Sequence, residues 1–167
     1  MKAHDFVGVD YYIQTSDVEL LHELVLSLRL NPFIVNIGAG LGTSTLAMLE
    51  CREDSFVCSV DIRICFNEYS MLEEAEYLNR YIRILGRSQD IPWPFGKPDM
   101  VFVDGGHTRD LITRDIEAWL PRIKFGGVIA FHDYGSPMLP AVKNVVDEMM
   151  SDYKVIAYEG KLKAFRV

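Results

Sequence analysis

From Phe33 to the end of the chain, apolar runs of strand length alternate with segments whose apolar residues recur at helical spacing. The runs fall at 33–37, 56–60, 81–85, 100–104, 127–132, 153–158 and 162–167, and the helical segments at 43–51, 71–80, 109–123 and 138–151. Strands this apolar need cover on both faces, and parallel neighbours need a crossover long enough to hold a helix. The alternation therefore predicts an α/β fold: a Rossmann-like doubly wound sheet of about seven strands, mostly parallel, with helices on both faces. Gly160, between the last two runs, predicts a closing hairpin and hence an antiparallel last strand.

Local signals punctuate this pattern. Ser16-Asp17-Val18-Glu19 reads as a capping box opening an amphipathic helix through Leu30, which Asn31-Pro32 ends. Ser70 followed by Glu73 repeats the signal for the helix at 71–80. Ser136-Pro137 is expected to open the last helix, whose apolar face runs through Val142, Val145, Val146 and Met149. Trp119 belongs to the core stripe of the third helix, and Trp93, between Pro92 and Pro94, reads as a loop anchor. With no internal repeat or linker, residues 1–167 are expected to form one domain.

Composition excludes some roles. A net charge of −7 argues against a general nucleic-acid binder, which needs a basic face, but not against a nucleotide-like cofactor held by backbone N–H groups. Met1-Lys2-Ala3-His4-Asp5 does not resemble a signal peptide and no apolar run reaches membrane-spanning length, so a cytoplasmic protein with no membrane partner is expected. Cys51, Cys58 and Cys65 are odd in number and lack CxxC spacing, which reads as reduced structural thiols.

Wound sheets bind ligands beyond the C-terminal ends of their strands. Here those ends carry the polar residues. Gly38-Ala39-Gly40-Leu41-Gly42 follows the first run and Thr43-Ser44 opens a helix, a cradle in which backbone N–H groups face a ligand. Asp61 ends the second run about 20 residues on, where a carboxylate can hold a ribose hydroxyl pair. Ser88-Gln89-Asp90 follows the third, Asp104-Gly105-Gly106-His107 the fourth, and His132-Asp133-Tyr134 the fifth. Two carboxylates on adjacent strand ends repel unless a cation or proton lies between them, and Mg²⁺ favours such oxygens.

The segments Val35 to Gly42, Val60-Asp61, Leu85 to Asp90, Asp99 to Asp104 and Gly126 to Tyr134 together resemble the ordered motifs of class I S-adenosylmethionine-dependent methyltransferases. They are most similar to small O-methyltransferases of the catechol O-methyltransferase type and the related group whose fourth and fifth strands end in "DG-x-H" and "HDY". The resemblance covers about residues 16 to 167. It implies S-adenosyl-L-methionine as cofactor, a small hydroxylated methyl acceptor and divalent-metal assistance by Mg²⁺. By position, Asn36, Gly38, Ala39, Gly40, Gly42, Thr43 and Ser44 would form the cofactor loop. Asp61 would hold the ribose, Ile62 would pack on the adenine, and Ser88 and Gln89 would lie at its edge. Asp104, His132 and Asp133 match metal-site positions, and Asp104 also borders the cofactor. His107 stands where catechol-type enzymes carry a lysine base, and a histidine can do that work near neutral pH.

The chain departs from this pattern in three places. Asn36 replaces the usual acid of the first motif, and Arg87 stands where a small or acidic residue is common. The stretch before the first helix is short, so Tyr11, Tyr12 and Gln14, or a second copy of the chain in a homo-oligomer, would have to cover the acceptor. Rival readings are a cofactor-binding module without turnover, a metal-independent methyltransferase and an NAD-dependent oxidoreductase. The last is disfavoured because GxGxG followed by Thr-Ser departs from dinucleotide spacing.

Overall fold

The computed structural model of the chain describes residues 2–6, 13–64 and 66–167. Its elements are α1 (Thr15–Leu26), β1 (Phe33–Ile37), α2 (Thr43–Glu50), β2 (Phe56–Asp61), α3 (Phe66–Glu74) and β3 (Tyr81–Leu85). There follow β4 (Met100–Val103), α4 (Arg109–Trp119), β5 (Val128–Phe131), α5 (Pro140–Met149), β6 (Lys154–Glu159) and β7 (Leu162–Arg166). The seven strands form one sheet in the order β3-β2-β1-β4-β5-β7-β6. The first five run parallel, and β7 is antiparallel to both β5 and β6, as Gly160 predicts.

Chain direction across the sheet explains where a ligand can bind. Strand order runs outward from β1 to β2 and β3 on one side, and to β4 and β5 on the other. The crossovers part at β1 and β4, leaving a crevice above their C-terminal ends. Alternate side chains sort into two cores. Ile34, Met100, Phe102, Val128 and Ala130 face α1, α2 and α3 with Leu21, Leu46 and Met48. Val35, Val101, Val103, Ile129 and Phe131 face α4 and α5 with Ile116, Trp119 and Val146. Trp119 is fully buried, and truncating such a side chain to alanine costs about 3–5 kcal/mol. Trp93 meets it edge-on at 4.8 Å and stacks on Phe33 at 5.8 Å, pinning the loop before β4 to the second core.

α2 and α4 open at Thr43 and Arg109 as expected, but three other helix starts differ from the capping signals. α1 opens at Thr15, and the residue answering its N-terminus is Asp17, whose Oδ2 accepts from the Gln14 N–H at 2.9 Å. Asp17 can turn inward to do this because it lies on the buried stripe with Leu20, Leu21 and Leu24. The same helix ends at Leu26, four residues short of the expected limit. Ser70 and Glu73 lie inside α3, which begins at Phe66 and ends at Glu74. Burial of Glu68 against Arg83 extends that helix toward its start, and Glu76 at φ 62° turns the chain out of it. α5 starts at Pro140, its first helical residue, because the Ser136 N–H donates to Asp133 O and the Leu139 N–H to Ser136 O, holding Pro137 in a turn. α4 stops at Trp119, one residue before a short 3-10 turn that contains Pro121.

Cys51 and Cys58 are free thiols, lifted by burial to about 11 and about 12, and so remain protonated; Cys65 lies outside the described residues. Among the described residues no helix is long and apolar enough to cross a membrane.

Candidate active site

A cleft of about 1090 Å³ opens above the C-terminal ends of β1, β2, β4 and β5. That is at the upper end of the usual volume of a ligand site, roughly 300–1,000 Å³. Gly38, Ala39, Gly40, Thr43 and Ser44 form one wall. Asp61, Ile62, Ser88 and Gln89 border it beyond β2 and β3, and Asp104, His107, His132 and Asp133 border it beyond β4 and β5.

The glycine loop is shaped by close backbone contact. A Cβ on Gly38 would lie 2.1 Å from the Asp104 carbonyl oxygen, so β1 and β4 can leave the sheet side by side only with glycine there. Gly40, at φ 53°, faces open space. Gly42 does not line the cleft; it packs on the backbone and side chain of Glu68. Asp61 ties the loop down, its Oδ2 accepting from Gly40 N–H at 3.3 Å and its Oδ1 from Arg63 N–H at 2.9 Å.

Asn36 is fully buried beneath the loop rather than in the cleft. Its Nδ2 donates to Ser44 Oγ at 3.0 Å and to Thr45 Oγ1 at 2.8 Å, so it braces the first turn of α2 from below. The negative charge of this layer comes from Glu68, also fully buried, whose Oε1 accepts from Thr45 and Ser59, each at 2.6 Å. Arg83 Nη2 pairs with its other oxygen at 3.0 Å.

At the opposite wall three groups converge. One ligand atom each from Asp104, His107 and Asp133 lie within 4.8 Å of one another. His107 Nε2 is 3.1 Å from Asp133 Oδ2 and 3.7 Å from Asp104 Oδ1, but it is not aligned for a hydrogen bond with either. The two carboxylates, Asp104 foremost, lift the His107 pKa to about 9. Asp133 is a non-glycine residue at φ 54°, a backbone state that aspartate tolerates better than most side chains. Burial favours its neutral form, but His107, His132 and Lys161 outweigh this and lower its pKa.

His132 is placed differently from the expectation that it joins a metal-binding set. Its Nδ1 lies 3.2 Å from Asp104 Oδ1 and its Nε2 3.2 Å from Asp17 Oδ2, which engages both ring nitrogens. Burial works against protonating this ring, yet the carboxylates around it, Asp104 first, raise its pKa to about 10. His132 is therefore an imidazolium strut between α1 and Asp104, while His107 holds the third position at the cleft.

Three buried acids escaped the sequence reading: Asp17, Glu68 and Asp115. Each lies on the inward face of its helix, and an acid interrupting an otherwise apolar stripe is the signal that could have found them. Tyr11 and Tyr12, expected to cover the acceptor, lie outside the described residues, and Gln14 instead precedes α1 as its N-cap.

The family model described as "Methyltransferase domain" matches residues 35–134. The span runs from β1 to the residue after Asp133 and includes every wall of the cleft described above. The chain belongs to this family: it is an S-adenosylmethionine-dependent methyltransferase. Solved structures share the fold. A candidate caffeoyl-CoA O-methyltransferase from Staphylococcus aureus is 16% identical over 98% of this chain and 88% of its own, with a TM-score of 0.78. TomG, an O-methyltransferase of tomaymycin synthesis from Streptomyces achromogenes solved in complex with SAM, is 20% identical over 90% and 78%, with a TM-score of 0.70. A candidate rRNA methylase from Clostridium thermocellum is 16% identical over 93% and 99%, with a TM-score of 0.72.

Proposed function

We propose that this methyltransferase acts on a hydroxyl of a small molecule, and that Asp104 and Asp133 hold a divalent cation, Mg²⁺ in the first instance, against which the acceptor is ordered. The observation that carries the reading is the convergence of Asp104, His107 and Asp133 beside the glycine loop, in one large cleft. Two carboxylates suit a hard divalent ion. The His107 Nε2, which faces both carboxylates without a hydrogen bond, is left to serve as a base beside such a site. When bound, the cation lowers the pKa of a hydroxyl on it.

The chain's own groups supply the rest. Gly38 to Gly40 bring backbone against the methionine portion of the donor, and Asp61 accepts from the ribose hydroxyls. Thr43 and Ser44 present the α2 N-terminus, and Ile62, Ser88 and Gln89 border the base. His107 takes the acceptor's proton at Nε2. With both carboxylates charged and nothing else between them, that ring is an imidazolium at neutral pH; relieved of their pull, it returns toward the ordinary histidine range and can act as a base. The net charge of −7 favours a small acceptor over RNA, and free thiols at Cys51 and Cys58 fit a reducing cytoplasm.

A panel of hydroxylated aromatic and sugar-like acceptors, assayed with radiolabelled S-adenosylmethionine with and without chelator, tests this. Transfer to a hydroxyl that chelator abolishes and Mg²⁺ restores is the expected result. Chelator-resistant transfer removes the cation from the reading, and label found only in RNA removes the small acceptor.

A further inference from the structure

One acid of the cleft stands away from the reacting cluster. Asp115 lies on α4 and is 3% exposed, sharing the buried stripe of Ile112, Ile116 and Trp119. Its Oδ1 accepts from the Ser88 hydroxyl, while its Oδ2 accepts from no described residue. That oxygen sits over the chain just past β4, since a Cβ on Gly105 would be 3.3 Å from it. Burial raises the pKa of Asp115, Ser88 alone opposes this, and no cation faces the group.

The other buried aspartates use both oxygens on protein donors. Asp99 holds the Phe33 N–H and Lys124 on one oxygen and Arg29 on the other. Asp17 holds Gln14 and His132 on one and the Lys161 N–H on the other. Asp115 spends one oxygen and leaves the second open to the cleft, where a bound ligand that excludes water must donate to it or leave it unpaired.

Its position says which part of a ligand would do so. Sheet order puts Ser88 at the β3 end and Asp61 at the β2 end, on the opposite side of β1 from Asp104 and Asp133. A donor with its sulfonium near Asp104 and its ribose at Asp61 extends its base toward Ser88 and Asp115. The geometry points to Asp115 Oδ2 as the acceptor for the exocyclic amino group of the cofactor's adenine, which makes Asp115 the residue that fixes the identity of the base. This assignment rests on the cofactor reading above. A base with a carbonyl at that position would set oxygen against oxygen.

The test is calorimetric binding of S-adenosylhomocysteine and of its 6-deamino analogue, which carries purine in place of adenine and keeps every other ring atom. The wild-type chain is expected to prefer the amino compound by about tenfold or more, the loss that follows when a buried acceptor is left unpaired. Asp115→Ala and Asp115→Leu are each expected to bring the two dissociation constants within about threefold. An undiminished preference in both folded variants overturns the assignment. So does a wild-type chain that binds the two compounds alike, a result that needs no variant to fold. Binding of neither compound overturns the cofactor reading and this assignment together.

Discussion

At the scale of single residues, the cleft is an arrangement of charges that must be balanced. Asp104 and Asp133 are balanced in the structure by two histidines: His107, which lies between them, and His132, which Asp17 also holds. Cation binding is therefore expected to expel a proton from His107. Titration of Mg²⁺ into the protein at pH 8 in two buffers of different ionisation enthalpy should show proton release approaching one per ion, and none would place the cation elsewhere. Asp133→Asn removes one of two carboxylates, so cation affinity should fall by roughly tenfold or more while S-adenosylhomocysteine affinity stays within about threefold. Unchanged cation affinity would rule out Asp133 as a ligand. His107→Ala should lower kcat by about 10²–10³-fold and flatten its pH profile near neutrality, with KM little changed. A variant that keeps the wild-type profile would assign the proton to another group.

At the scale of elements, the glycine loop separates stability from binding. Gly38→Ala drives a methyl into the Asp104 carbonyl, so it should destabilise the fold by roughly 3 kcal/mol or more, read by denaturant unfolding. Gly40→Ala meets no atom within 4 Å and carries only the left-handed backbone penalty of about 1–2 kcal/mol. It should keep its fold and lose cofactor affinity; the reverse ranking would mean that the loop does not meet the cofactor as described. These elements were legible in the sequence because the strands are mostly apolar runs closed by polar turns, and the glycines reported the close approach directly. The starts of α2 and α4 were legible too, but those of α1, α3 and α5 were not, because Ser16, Ser70 and Ser136 carry capping chemistry while burial of Asp17 and Glu68 and the turn at Asp133 decide where the chain coils. The glycine wall of the cleft could be read for the same reason that the strands could. Which histidine Asp17 holds could not, since His107 and His132 each stand near an aspartate at a strand end and only three-dimensional packing separates them.

For the whole molecule, these pairings set a pH window. His107 and His132 titrate near 9 and 10 in the folded chain and near 6.5 when unfolded. Their contribution is complete below about 6.5 and is lost as pH rises through 9 to 10. Asp17 and Asp133 titrate below their unfolded value of about 3.8, so theirs is present above that value and lost as pH falls through the folded ones. The metal-free protein should therefore melt highest between about pH 4 and 6.5, with Tm falling on the order of 5 °C by pH 10. A flat profile from pH 6 to 10 would mean that neither ring is held by its carboxylates. The contact of His132 with Asp17 has a wider consequence. It joins α1 to the cleft wall that carries Asp104, so occupancy of that wall and seating of the helix are expected to share one equilibrium, each biasing the other by the same free energy. Amide hydrogens in α1 should accordingly exchange more slowly once the distant cation has bound, and an unaltered rate would show the two ends to be independent.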